Sequence, residues 1–143
     1  FKKINISKNS VSSSFLDMEN LHLDSNPDSQ FIKKEDVKIV SLNEAFIKEK
    51  NKFKKYFLKI DTQGYEKEIL ESGENILNNF IGISCEISVQ PLYKNEAKFL
   101  DIINYLNTRG YEIYSIHNSY YEINYGQTFS VDIVFIKKEL FIN

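Results

Sequence analysis

In the stretch Phe57-Leu58-Lys59-Ile60-Asp61-Thr62-Gln63-Gly64-Tyr65-Glu66 an apolar run ends on a carboxylate, turns at a glycine and resumes as a helix with a second carboxylate in its first turn. Open α/β sheets build their sites outside the carboxyl ends of parallel strands, so Asp61 stands where a ligand would meet an acidic side chain. A carboxylate there can take a hydroxyl proton or fix a polar group. It can equally cap the helix that starts near Tyr65, since Asp is a favoured cap. Glu66 gains from the unpaired N–H groups and the dipole of that helix, and capping is its simpler role. Glu86 lies inside the apolar run Ile81-Gly82-Ile83-Ser84-Cys85-Glu86-Ile87, where an unpaired charge is costly. It needs a reason to be there: a lysine partner at a strand end, or a place in a site.

The other reactive residue types offer less. His22 lies in a polar stretch and His117 follows a strand ending at Ile116; neither has a cysteine or a second histidine at ligand spacing, and surface positions are expected for both. Asp61, Glu66 and Glu86 could hold a divalent cation through oxygen alone, which the chemistry permits without demanding it. Tyr120, Tyr121 and Tyr125 could line a sugar or aromatic substrate, although a loop packed on the sheet explains them as well. The run Ser12-Ser13-Ser14 offers hydroxyls, or is merely loop. No serine sits on a G-x-S-x-G elbow, and Gly64, Gly73, Gly82, Gly110 and Gly126 are too far apart to form a G-x-G phosphate cradle. The single cysteine, Cys85, can form no internal disulfide and reads as a small core residue in a reducing compartment.

These residues need a scaffold, and the hydrophobic pattern supplies one. Residues 1–36 are rich in Ser, Asn, Asp and Lys and read as a polar arm or loop, with a short strand around Ile4 to Ile6 at most. Val37 to Leu42 reads as a strand, and Ser41 with Glu44 fits an S-x-x-E capping box that starts a short helix. Tyr56 to Asp61 is nearly continuous in apolar character, which suits a strand buried on both faces. The helix from Tyr65 to about Ser72 is followed by Gly73, where a left-handed terminal residue costs little. A second buried-looking strand, Ile81 to Val89, stops before Pro91. Phe99, Ile102, Ile103 and Leu106 form the stripe of an amphipathic helix within Asn95 to Arg109, closed by Gly110. Strands Tyr111 to Ile116 and Thr128 to Lys137 complete the chain. This alternation predicts an α/β fold, a mostly parallel sheet with right-handed crossovers and an antiparallel final strand. The working division is an arm, 1–36, and an α/β part, 37–143.

Length and charge narrow the partners. One domain of 143 residues can bury a sizeable core. Eighteen basic and 20 acidic side chains give a net charge of -2 without a basic block, so neither nucleic acid nor an anionic membrane is an expected partner. No apolar run approaches a membrane span and no signal-peptide pattern opens the sequence, which makes a cytoplasmic location the expectation. The chain starts at Phe1 and its one methionine is Met18, which suggests a piece of something longer.

The motifs together resemble a known family. Leu58 to Glu66 resembles the K-I-D-x-(E/Q)-G-x-E signature of the FkbM-type methyltransferases, which move a methyl group from S-adenosylmethionine to a hydroxyl, often on sugars or polyketides. Ile83 to Ser88 with Pro91-Leu92-Tyr93 is similar to the family's next strand and its P-L-Y. Phe99 to Tyr111 resembles the following helix and G-(F/Y) turn, and Val131 to Phe135 the terminal D-x-x-F strand. Upstream, Asn9 to Leu16 resembles an N-x-x-S-S-L segment and Val37 to Phe46 a V-x-x-x-T-L-D stretch, with Asn43 where the family usually has Asp. The family's D-x-G-x-N-x-G loop and ribose-binding acid do not occur in these residues.

The resemblance implies the substrate-side half of a Rossmann-like class I methyltransferase sheet. It implies S-adenosylmethionine as cofactor, held by the part that carries the glycine loop, and a small-molecule or glycan hydroxyl as acceptor. Asp61 is the first choice for base, Glu86 the second and Glu66 a helper; Ser13, Ser14, Gln63, Gly64 and Tyr93 fall on substrate-side positions. A different class of function, a truncated methyltransferase-like module that binds without cofactor, fits the missing loop. A bare apolar edge on the Tyr56–Ile60 strand would invite self-association.

Overall fold

The computed structural model of the protein describes residues 1–141. Its core is a mixed α/β layer: a four-stranded sheet in the order β3-β4-β6-β5, made of β3 (Tyr56–Ile60), β4 (Phe80–Ser88), β5 (Tyr111–Tyr121) and β6 (Thr128–Lys137). β3 and β4 pair in parallel, while β6 is antiparallel to both β4 and β5. Three strands therefore run one way and the last runs against them, although only one hydrogen-bonded pair is parallel.

Alternation decides which face is buried. Ile60 of β3, Ile83, Cys85 and Ile87 of β4, and Val131, Ile133 and Phe135 of β6 point to one side. They pack against Phe46 of α2 (Leu42–Glu49), Leu70 of α3 (Glu66–Ser72) and Ile102, Ile103 and Leu106 of α4 (Phe99–Asn107). Burying a side chain such as Leu70 contributes roughly 1.5–3 kcal/mol. The opposite face of β3 carries Phe57 and Lys59, both exposed. The apolar run Tyr56–Asp61 is thus covered on one face only, because all three helices of the layer lie on the other side of the sheet. Its outer edge has no partner strand among the described residues.

Local signals act as the chain predicts at two helix ends. Ser41 and Glu44 form the reciprocal capping box of α2, and Gly110, with φ of 81°, ends the turn after α4. Gly73 works differently. Its φ is -116°, so no left-handed turn is made there; a Cβ would lie 2.6 Å from Leu42 Cδ2, and the missing side chain lets α2 approach.

The N-terminal segment is structured. β1 (Lys2–Ser7) pairs antiparallel with β2 (Phe31–Val37), and α1 (Asn20–Ser25) lies between them in sequence. The strand expected over Val37–Leu42 is therefore displaced upstream: pairing with β1 ends at Val37, and Ile39 and Val40 are exposed. β2 escaped the hydrophobic pattern because Ile32 to Asp36 all face solvent and its stability comes from backbone pairing. Met18, with Leu16, Leu21, Leu23 and Phe31, packs against Leu92, Tyr93 and Phe129, seating this segment over the sheet. β5 runs on to Tyr121, so Tyr120 and Tyr121 belong to a strand rather than to a loop. No described helix is long and apolar enough to cross a membrane.

Candidate active site

The turn after β3 is held in a conformation most residues avoid. Gln63 has φ of 55° and Gly64 φ of 93°, two successive left-handed residues. A Cβ on Gly64 would also sit 3.1 Å from Tyr93 Cβ. Glu66 pins the turn from the first residue of α3: its Oε1 accepts hydrogen bonds from the Thr62 amide at 2.9 Å, the Thr62 hydroxyl at 3.1 Å and the Gly64 amide at 3.3 Å. Only 4% of Glu66 is exposed. Burial raises its pKa and outweighs these hydrogen bonds, pushing it up to about 7. Ser14 donates its hydroxyl to the Gln63 carbonyl at 2.7 Å, tying the N-terminal segment to the same turn.

From this turn the Gln63 side chain joins two carboxylates. Its Nε2 donates to Asp61 Oδ1 at 3.0 Å and to Glu86 Oε2 at 2.8 Å, and its Oε1 accepts from the Tyr93 hydroxyl at 2.8 Å. Glu86 Oε1 accepts from the hydroxyls of Ser119 and Ser130. Lys59 Nζ lies 3.1 Å from Asp61 Oδ2 on the open face of the sheet. Burial disfavours charge on both acids and the outcomes differ. At Asp61 the Lys59 and Gln63 hydrogen bonds prevail and hold the pKa below the ordinary carboxylate range. At Glu86 burial, aided by the nearby Asp61 charge, prevails over the serine hydroxyls and raises it. The pair thus divides into an ionised Asp61 and a Glu86 that keeps its proton to higher pH.

Both acids line a cavity of about 280 Å³ between the sheet and the N-terminal segment. Gln63, Gly64, Glu66 and Tyr93 line it too, as does Tyr120, so the carboxylates and most of the expected substrate-side residues converge on one site. Ser13 and Ser14 do not line it. The Ser13 hydroxyl donates to the Ser10 carbonyl and accepts from the Ser7 amide, which closes the turn after β1, and Ser14 serves the Gln63 carbonyl. Of that serine run Ser12 is the one at the cavity wall, which Ser88 and Ser130 also line. Among the described residues no group of three or more His, Cys, Asp or Glu is placed to hold a metal.

Sequence reasoning missed part of the wall. His22, expected at the surface, is 4% exposed; its Nε2 contacts the Ser29 hydroxyl at 3.2 Å, its ring meets Tyr93 edge-on, and burial lowers its pKa. Its burial follows from the packing of α1 against Leu92 and Tyr93, a long-range contact without local signature. Ser130 was legible in principle, because it lies two residues before Asp132, the partner of Glu86, out of phase with the core residues Val131 and Ile133, and so faces the same side as Glu86.

These geometric features have a family to match. A family model described as the methyltransferase FkbM domain matches residues 2–113. The chain is therefore a methyltransferase-family protein, and within that class it belongs to the FkbM family. No curated protein and no solved structure matches it.

Proposed function

We propose that the chain is the acceptor side of an S-adenosylmethionine-dependent O-methyltransferase with a Rossmann-like sheet, and that it binds a hydroxylated small molecule or glycan over Asp61 and Glu86. The observation that carries this reading is the carboxylate pair itself: two acids of unlike ionisation, bridged by one amide, at the carboxyl ends of the two parallel strands in an FkbM-family chain.

The cofactor fits these residues poorly. A nucleoside with a carboxylate tail needs free backbone amides, but the Thr62 and Gly64 amides at the start of α3 are taken by Glu66, and the five glycines form no cradle. The cavity instead presents carboxylates, hydroxyls and an imidazole. Held beside the cavity by other residues, the cofactor would supply an electrophilic methyl group. What this chain supplies is alignment and a proton acceptor. Asp61, ionised and partly open to the cavity, can accept the hydrogen bond of an acceptor hydroxyl and orient its oxygen, and alignment is the larger lever in such a displacement. Were the methyl to leave sulfur as it bonded to that oxygen, the hydroxyl proton would pass to Asp61, whose lowered pKa makes it the weaker kind of base, so orientation is its main contribution. Glu86 is the second choice: its oxygens accept from Gln63, Ser119 and Ser130 away from solvent, whereas the Asp61 carboxylate, held by Gln63 and Lys59, keeps 42% of its side-chain surface exposed. Glu66 supports the turn.

Incubating the complete protein with methyl-labelled S-adenosylmethionine and a panel of neutral sugars and polyols tests this directly. Label transfer that needs Asp61 supports it; binding of acceptor without transfer would favour a non-catalytic module.

A further inference from the structure

We propose that Gln63 is the positioning residue of this site: clamped by the Tyr93 hydroxyl, its amide commits both N–H bonds to Asp61 and Glu86, holding the two carboxylates side by side and leaving Asp61 the acceptor-facing member. The inference rests on the acceptor-site reading but assigns Gln63 a role other than touching substrate.

Both polar atoms of the side chain and the backbone carbonyl have partners. The backbone is left-handed, and its carbonyl accepts the Ser14 hydroxyl at 2.7 Å, so the side chain leaves the turn in a fixed direction. At its end, the two Nε2 hydrogens meet Asp61 Oδ1 and Glu86 Oε2, and Oε1 meets the Tyr93 hydroxyl. The opposite amide orientation would set a carbonyl oxygen against two carboxylates, so chemistry fixes which atom is nitrogen. Tyr93 is itself buried, at 1% exposure, and its hydroxyl also lies 3.1 Å from the Ser12 carbonyl. A substrate hydroxyl would have to break one of these bonds to use Gln63, whereas Asp61 remains partly open. Two carboxylates held this close repel when both are charged, and two N–H donors between them are what lowers that cost.

The other titratable groups around the pair come from every neighbouring element. Lys59 lies beside Asp61, Asp132 of β6 stands opposite Glu86, and His117 of β5 opposite Asp132; Glu66 of α3, His22 of α1, Tyr93, the buried Cys85 of β4 and Glu96, which holds the Tyr93 amide, surround them. All are unchanged in a Gln63 variant, so a difference in titration reports the amide.

The experiment is a carbon NMR titration of the side-chain carboxyls of Asp61 and Glu86 in the full chain, with Gln63→Leu and Tyr93→Phe alongside. In the wild type Asp61 titrates in the lower step and Glu86 in the upper. In Gln63→Leu the Asp61 step rises by roughly one pH unit, as expected when a hydrogen bond to the charged form is lost. Tyr93→Phe, which frees the amide but keeps the ring, gives a smaller rise in the same direction and carries the test should Gln63→Leu fail to fold. Unchanged titrations in a folded variant would overturn the proposal. No methyl transfer is measured, so this outcome is independent of whether the chain serves an enzyme.

Discussion

Replacing Glu66 by Gln keeps the Oε1 acceptor that Thr62 and Gly64 use and removes a buried charge, so the consequence for stability depends on pH. Folding raises the Glu66 pKa from 4.5 to about 7. Between those values the folded chain holds more protons than the unfolded chain, so the wild type loses stability as pH rises through this window and levels off above it. The rise corresponds to about 3 kcal/mol. Glu66→Gln is the neutral isostere of the protonated side chain and carries no such loss. The two proteins should have similar stability at about pH 4.5, and the variant should be more stable by an amount approaching 3 kcal/mol at about pH 8. Glu66→Ala provides the contrast: it strips the acceptor from two loop amides and should be less stable than Glu66→Gln by about 1–3 kcal/mol at every pH, since neither variant titrates there. Urea unfolding followed by circular dichroism at several pH values measures all three. Because the remaining titratable groups are common to the proteins, the wild-type minus variant difference isolates Glu66. A difference that stays constant from acid to alkaline pH, or a Gln variant less stable at about pH 8, would refute the reasoning.

Two other expectations follow from the same geometry. Gly64→Ala places a side chain at φ of 93° and 3.1 Å from Tyr93 Cβ, so chemical denaturation should show a loss of more than about 1 kcal/mol. The unpartnered edge of β3, with Phe57 50% exposed, should make the chain self-associate at high concentration, and Phe57→Lys should suppress this; light scattering from a wild-type chain that stays monomeric, with protected β3 amides, would contradict it.

The sequence was most readable where local chemistry and burial agree. β6 runs over the residues its alternating pattern predicts, and Ser41 with Glu44 caps α2 as the motif requires. Asp61 and Glu86 could be placed at strand ends because apolar runs fix strands, and a charge inside such a run signals a partner. The partner itself was not readable. That Gln63 bridges the two acids depends on its left-handed backbone and on Tyr93 arriving from 30 residues away, which no periodicity records. β2 and His22 were misjudged for related reasons: a two-stranded ribbon with exposed side chains has no hydrophobic period, and a polar helix turn is buried only when the sheet end beneath it is known.

The central claim is that Asp61 meets the acceptor hydroxyl. Methyl transfer by the complete protein carrying Asp61→Asn, read with its thermal unfolding, tests it most directly. Asp61 caps no helix, since α3 has no side-chain cap, and Asn keeps its shape and the Oδ1 acceptor that Gln63 uses, so stability should change by less than about 1 kcal/mol while turnover falls by about 10²-fold or more. Near-normal turnover in a stably folded Asp61→Asn protein would contradict the claim and transfer the role to Glu86.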